Sequence, residues 1–204
     1  LGRARTIDRD AVLDAAERVV SREGAARLTV DAVACEAGIS KASVLYDYKS
    51  KHELVKAVIA RRVSDDETAY RETAARFARS ADSAIRGQVA MATRSYPEEE
   101  RAVAYNLCAA LGQDADLRAP VQEAFRRRVD EIRRTSEHPD GALLAFLAVE
   151  GLIFIDHFGL HDWTPDERAR LIAGIDWLIG QNPETAPPAE GAPDDTETPE
   201  GEPD

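Results

Sequence analysis

All four lysines of the chain, Lys41, Lys49, Lys51 and Lys56, fall within one 16-residue window. The window overlaps the stretch from Thr29 to Leu54, TVDAVACEAGISKASVLYDYKSKHEL. Cations at this density suit contact with a polyanion, and the hydroxyls of Thr29 and Ser40 can donate to phosphate oxygens. The charge distribution points the same way. Residues 1–62 carry a net charge of +3, residues 63–180 carry −7 and residues 181–204 carry −8, within a chain whose total is −12. A basic head therefore stands against an acidic remainder. A chance cluster on a solvated face is the plain alternative.

Catalytic and metal chemistry find little support. Cys35 and Cys108 belong to no CxxC pair and no His/Cys metal spacing, and each lies in a helical apolar pattern. They are expected to be buried free thiols in a reducing compartment. His157 follows Asp156, but no nucleophile motif, metal constellation or phosphate-binding glycine loop accompanies it, so neither an enzyme nor a cofactor is predicted. No charged-then-apolar leader pattern opens the chain. The longest apolar run, 142–155, is interrupted by Glu150 and Gly151 and is too short to span a bilayer, which predicts a soluble cytoplasmic protein without a membrane partner.

The elements that must position the basic window are all helical. Val12, Leu13, Ala16, Val19 and Val20 share one face of a helix predicted from about Arg9 to Arg22, with Asp8 as its N-cap and Gly24 as its stop. Thr29 caps a helix over 30–37, and Gly38 ends it in a tight turn. Ser40 caps a third helix from Lys41 to about Tyr46. Ser50 and Glu53 form a capping box that opens a long fourth helix from Lys51 to roughly Arg79. Further helices are predicted over 83–93, 97–111, 117–134, 141–158 and 165–179, the last behind a second capping box at Thr164 and Glu167. No alternating strand pattern, hairpin dipeptide or repeat is present. From Gln181 onward the chain lacks any large apolar residue and is expected to be a disordered acidic tail.

Two short helices that cross closely need a small residue in the first, glycine in the turn and an apolar lock in the second. Ala34, Gly38 and Val44 meet those needs, with Val33, Ala37 and Ile39 completing the inward face. Lys41, Ala42, Ser43, Tyr46 and Asp47 then point outward, suited to a major groove.

The stretches AVLDAAERVVSREG, LTVDAVACEAGIS and SKASVLYDYKSKHEL resemble the N-terminal DNA-binding domain of the TetR family, the tetracycline-repressor-like transcriptional regulators of bacteria. The resemblance spans Thr6 to Arg62. It implies an all-α fold: a three-helix helix-turn-helix domain at 1–62, a helical ligand-binding and dimerisation domain at 63–180, and the tail at 181–204. It also implies a homodimeric, ligand-responsive repressor on a palindromic operator in double-stranded DNA. By position, Thr29, Lys41, Ser43 and Lys51 fall where family members touch DNA, and Ser40, Ala42, Tyr46 and Tyr48 complete the candidate interface. The chain departs from the family pattern at Ala42, Ser43 and Leu45, where Gly, Thr and an aromatic residue are usual. Two roles for Tyr46 stay open, reaching a phosphate or packing inward. Thr29 and Ser40 fit capping and phosphate donation equally. Arg3 and Arg5, ahead of the first helix, suit either the minor groove or solvent.

The resemblance further implies an unidentified small-molecule effector, with Met91, Tyr96, Tyr105, Cys108, Phe125, Phe146, His157 and Trp163 as candidate lining residues; ordinary core packing is the competing role for each. The helices at 141–158 and 165–179 are too apolar for a surface position, which predicts a four-helix interface between two chains or, alternatively, burial inside one bundle. Two other functions compete: a helical small-molecule-binding protein or enzyme with a degenerate DNA-binding domain, and a partner-binding module that acts through the tail.

Overall fold

A computed structural model describes residues 8–94 and 97–183. Among these residues it holds nine α-helices and no strand. They are α1 (Arg9–Glu23), α2 (Val30–Ala37), α3 (Lys41–Asp47), α4 (Lys51–Ala75), α5 (Ser83–Met91), α6 (Glu98–Gln113), α7 (Ala115–Thr135), α8 (Pro139–Phe158) and α9 (Pro165–Leu178). Arg3, Arg5, Tyr96 and the tail from 184 onward lie outside the described residues.

Local chemistry sets the helix starts. Asp8 accepts from the N–H groups of Asp10 and Ala11, Thr29 from Ala32, Ser40 from Ser43 and Ser50 from Glu53, so each side chain satisfies donors that the first turn leaves unpaired. At α9 the capping box is complete in both directions between Thr164 and Glu167. Gly38 ends α2 at φ 65° and ψ 31°, a left-handed conformation that costs other L-residues free energy. The α4 helix is four residues shorter than the predicted stop at Arg79, because the chain leaves it through turns at 76–78 that carry three-residue bonds such as Phe77 N–H to Ala74 O.

The buried side chains form two clusters. The first joins Val12, Ala16, Val19, Val20, Leu28, Val33, Ala34, Val44, Leu54 and Val58 of α1–α4, and it also takes in Val103, Leu107 and Leu117 from α6 and α7. The basic head thus borrows part of its core from the second half of the chain. The second cluster joins Ile85, Val89, Ile132, Ala145, Phe146, Val149, Leu152, Ile175 and Ile179 of α5 and α7–α9. The α4 helix runs unbroken through residue 62 and packs on both halves, touching α1, α5 and α7.

Three expectations need correction. Cys35 and Cys108 are exposed rather than buried, because each lies on the outward side of its helix. Asp47 does not face a groove: Arg9 Nε donates to it at 3.0 Å, and its side chain is almost fully covered. The 14-residue apolar run 142–155 belongs to a 20-residue helix that is, by length and composition, long and apolar enough to cross a bilayer. Ala142, Ala145, Phe146, Val149 and Leu152 of α8 are buried against neighbouring helices.

Candidate nucleic-acid interface and cavity

The helix-turn-helix of the head is built by α2 and α3. Val44 is fully buried and locks α3 onto α2 through Val33 and Ala34. That leaves the opposite side of α3 free. Lys41 and Ala42 are exposed, Ser43 is half-buried, and Tyr46 is 75% exposed, which settles its direction as outward. Leu45, in the usual aromatic place, is half-buried. Tyr48 leaves α3 half-buried against the head core, where burial pushes its hydroxyl pKa upward.

The polar groups of this surface are held in intramolecular contacts. The Ser40 and Ser43 hydroxyls lie 2.8 Å apart, and Ser40 Oγ accepts from the Ser43 N–H. Thr29 Oγ1 accepts from the Ala32 N–H at 3.1 Å. Lys41 Nζ donates to Asp31 at 2.8 Å, an exposed pair that contributes little to stability. Lys49 Nζ donates to the Tyr46 carbonyl and lies 5.3 Å from the Tyr46 ring. Lys51, at the first turn of α4, donates to the Ala26 carbonyl at 2.5 Å and so ties α4 to the loop before α2. Only Lys56 leaves this group. It turns to Asp116 on α7 at 2.8 Å, where His52 Nε2 also meets that carboxylate at 3.1 Å. The paired Lys56 and His52 hold the Asp116 carboxyl below the ordinary aspartate range. Lys56 therefore bonds to the body and not to the face of α3.

A cavity of about 280 Å³ opens among α4, α5, α6, α7 and α8. Four predicted residues line it: Met91, Phe125, Phe146 and His157. Phe125 meets Phe146 edge to face with ring centroids 6.0 Å apart. The other described candidates lie elsewhere. Tyr105 is exposed and sits edge-on to Phe158 at 5.2 Å, Cys108 is exposed, and Trp163 lines a separate polar pocket beside His161.

The polar side of the cavity, formed by Arg62, Asp66, Gln88, Arg128 and Glu150, is not among the residues expected from sequence. Gln88 and Arg128 are 6% and 7% exposed. Arg128 donates to Gln88 Oε1 and, at 3.1 Å, to Glu67, while its guanidinium lies over the Tyr70 ring. Gln88 Nε2 donates to Glu150 Oε1 at 2.5 Å. Burial pushes the Glu150 carboxyl up to about 7, with the Asp66 charge adding to the rise and the Gln88 bond opposing it. Asp66 keeps part of its surface open to solvent, yet desolvation against the bundle also raises its carboxyl. The one sequence signal was Glu150 itself, a carboxyl inside an otherwise apolar run.

The cavity and the head share a wall. Val121 lines the cavity and also packs on the head core, and Ala104 lines it beside Val103, which is buried in that core.

The family model described as "Bacterial regulatory proteins, tetR family" matches residues 12–58, and "Tetracyclin repressor-like, C-terminal domain" matches residues 82–179. A search of curated proteins found no match. Among solved structures, the chain is similar to a transcriptional regulator from Streptomyces coelicolor A3(2), at 18% identity over 85% of this chain and 98% of that one, with a TM-score of 0.69. It is also similar to a TetR-family regulator from Rhodococcus sp., at 24% identity over 84% and 98% with a TM-score of 0.61. A third similar structure is a regulator from Saccharomonospora viridis solved in complex with choline, at 17% identity over 85% and 96% with a TM-score of 0.60.

Proposed function

The chain belongs to the TetR family of bacterial regulatory proteins, and from that premise we propose that it is a homodimeric repressor that binds a palindromic operator and releases it when a small molecule fills the cavity. The observation that carries this reading is the outward face of α3. Its back is locked by Val44, and its front offers Lys41, Ala42, Ser43 and Tyr46 in a rigid row beside the first turns of α2 and α4. Lys41 and Ser43, at the start of the helix, are assigned to base edges. Thr29, Ser40, Tyr46, Tyr48 and Lys51 are assigned to phosphates, which fix register rather than sequence. DNA replaces the exposed Lys41–Asp31 pair at little cost, and the Thr29 and Ser40 hydroxyls can donate to phosphate while their oxygens still cap.

Two copies read two half-sites. The dimer surface is assigned to α8 and α9, where Leu144, Leu147, Phe154, Leu171 and Trp177 remain exposed on one chain; Leu147 is 66% exposed and Trp177 64%. Exposed apolar surface of this kind favours association. The division into a DNA-reading head at 1–62 and a sensing body at 63–180 belongs to the same proposal.

Release requires a ligand that favours a body shape in which the heads no longer match the half-site spacing. The shared wall at Val121 and Ala104–Val103 gives such a ligand a direct mechanical route to α1 and α6. The test is selection of duplexes from a random pool by the full chain. Enrichment of an inverted repeat supports the reading, and recovery of no preferred sequence in dilute buffer rejects it.

A further inference from the structure

We propose that the cavity selects an organic cation: an amphipathic amine whose ammonium lies between Asp66 and Glu150 and whose apolar body rests on Phe125, Phe146 and Met91. The inference rests on the cavity being the effector site and specifies what that site recognises.

Charge balance carries the argument. Each surrounding helix contributes, and Arg94, just past α5, bonds to the sulfur of Met91 beside the cavity. From α4 come Arg62 and Asp66, from α5 the amide of Gln88, from α6 only Ala104, from α7 Arg128, and from α8 Glu150 and His157. The two arginines are already engaged. Arg128 is divided among Gln88, Glu67 and the face of Tyr70. Arg62 is drawn out of the cavity toward Glu17 and Glu100, at 3.9 and 3.7 Å. His157 Nδ1 lies 2.9 Å from the Ile153 carbonyl, within its own helix. Glu150, by contrast, is hydrogen-bonded by the neutral Gln88 amide, while Arg128 acts on it, and Arg128, Arg94 and Arg62 act on Asp66, through charge alone. Two carboxyls thus face the cavity, countered at a distance by arginines that bond to other partners.

A ligand anion would meet the carboxyls and would have to displace Arg128 from three partners. A ligand ammonium meets unused acceptors, and the ring faces of Phe125 and Phe146 add attraction for it. The raised carboxyl of Glu150 agrees with this picture, because an incoming cation supplies the compensation that burial withholds.

The test uses the purified full chain and three probes of similar shape and different charge: phenylbutylamine, phenylbutanol and phenylbutyrate. Affinity is read by calorimetry. The amine is expected to bind at least about tenfold tighter than either of the others. Glu150→Gln and Asp66→Asn should each erode that preference, and the double variant should bring the three probes within about threefold of one another. Having two single variants guards against one that fails to fold. Ala124→Trp, which plugs the cavity, should abolish binding.

Equal or tighter binding of the butyrate or the alcohol, lost in Ala124→Trp, overturns the cation assignment and leaves the effector site standing. An amine preference that persists in the double variant also overturns it. Amine binding that survives the plug places the site elsewhere and removes the inference. If no probe of any charge binds, the cavity fails as an effector site and the inference falls with it.

Discussion

Asn106 Nδ2 donates to the Val20 carbonyl at 3.0 Å, joining α6 of the body to the last turn of α1 in the head. The same carbonyl accepts the N–H of Gly24, and Asn106 Oδ1 is the nearest atom that a side chain added at Gly24 would meet. One amide thus closes the end of a head helix from a helix that borders the cavity. Asn106→Ala should lower the free energy of unfolding by about 1 kcal/mol, because Val20 O keeps its Gly24 partner. Urea denaturation measures the loss. Hydrogen exchange should speed up around 20–24 and not in α9.

Lys51 and the face of α3 should separate by the kind of binding they lose. Lys51→Ala should weaken binding to every duplex and lower the slope of log K against log salt by about 0.9, as loss of one phosphate contact does. Ser43→Ala and Lys41→Ala should instead change which sequences are preferred. Fluorescence anisotropy across a salt series decides. An unchanged slope in Lys51→Ala would leave that lysine as a tie to Ala26 alone.

Glu150 should make stability depend on pH. Its carboxyl is pushed up to about 7 in the folded chain, against an ordinary value of 4.5. Below the ordinary value both states hold the proton and no penalty is felt. Between the two values the folded state binds more protons, so stability falls as pH rises. Above the folded value the full penalty is present, on the order of 3 kcal/mol at most. The raised Asp66 acts with the same sign. Glu150→Gln should therefore stabilise the protein at pH 8 and change it little at pH 4, as read from urea midpoints.

Gly87 brings α5 into close contact with α4 at Ala74. A Cβ placed there would lie 2.7 Å from Ala74 Cβ and 2.8 Å from Ala74 Cα. Alanine would gain about 1 kcal/mol of helix propensity over glycine. The clash is with backbone, however, and prying two packed helices apart costs about 1–3 kcal/mol. Gly87→Ala should thus be neutral at best and destabilising by up to about 2 kcal/mol in net. Thermal denaturation gives the sign.

Leu147→Glu places a charge at the centre of the exposed apolar surface of α8. Light scattering should show a dimer for the parent chain and a monomer for the variant, with helical content preserved. Operator affinity should fall at least about tenfold once the two heads are no longer linked. A monomeric parent chain would remove the proposed interface.

Several features were legible because they act within one or two helical turns. Asp8, Thr29, Ser40, Ser50 and Thr164 each mark a helix start by bonding the chain two or three residues ahead. Ala34, Gly38 and Val44 sit close enough in sequence to define the helix-turn-helix, and the apolar spacing of α1 gives its buried face directly. The destinations of long charged side chains were not legible, since Lys51 to Ala26, Lys56 to Asp116 and Arg9 to Asp47 are separated by 25, 60 and 38 residues. Nothing local chooses among the partners a flexible cation can reach.

The cavity shows the same division more sharply. A helical chain with a basic head follows from residue order alone, because caps, turns and periodicity are short-range constraints. Long-range packing is what brings Gln88 between Arg128 and Glu150, at separations of 40 and 62 residues, and sets Val121 against both the cavity and the head. Five helices must pack before those polar groups lose water together, and their hydrogen bonds and displaced ionisation arise from that shared loss.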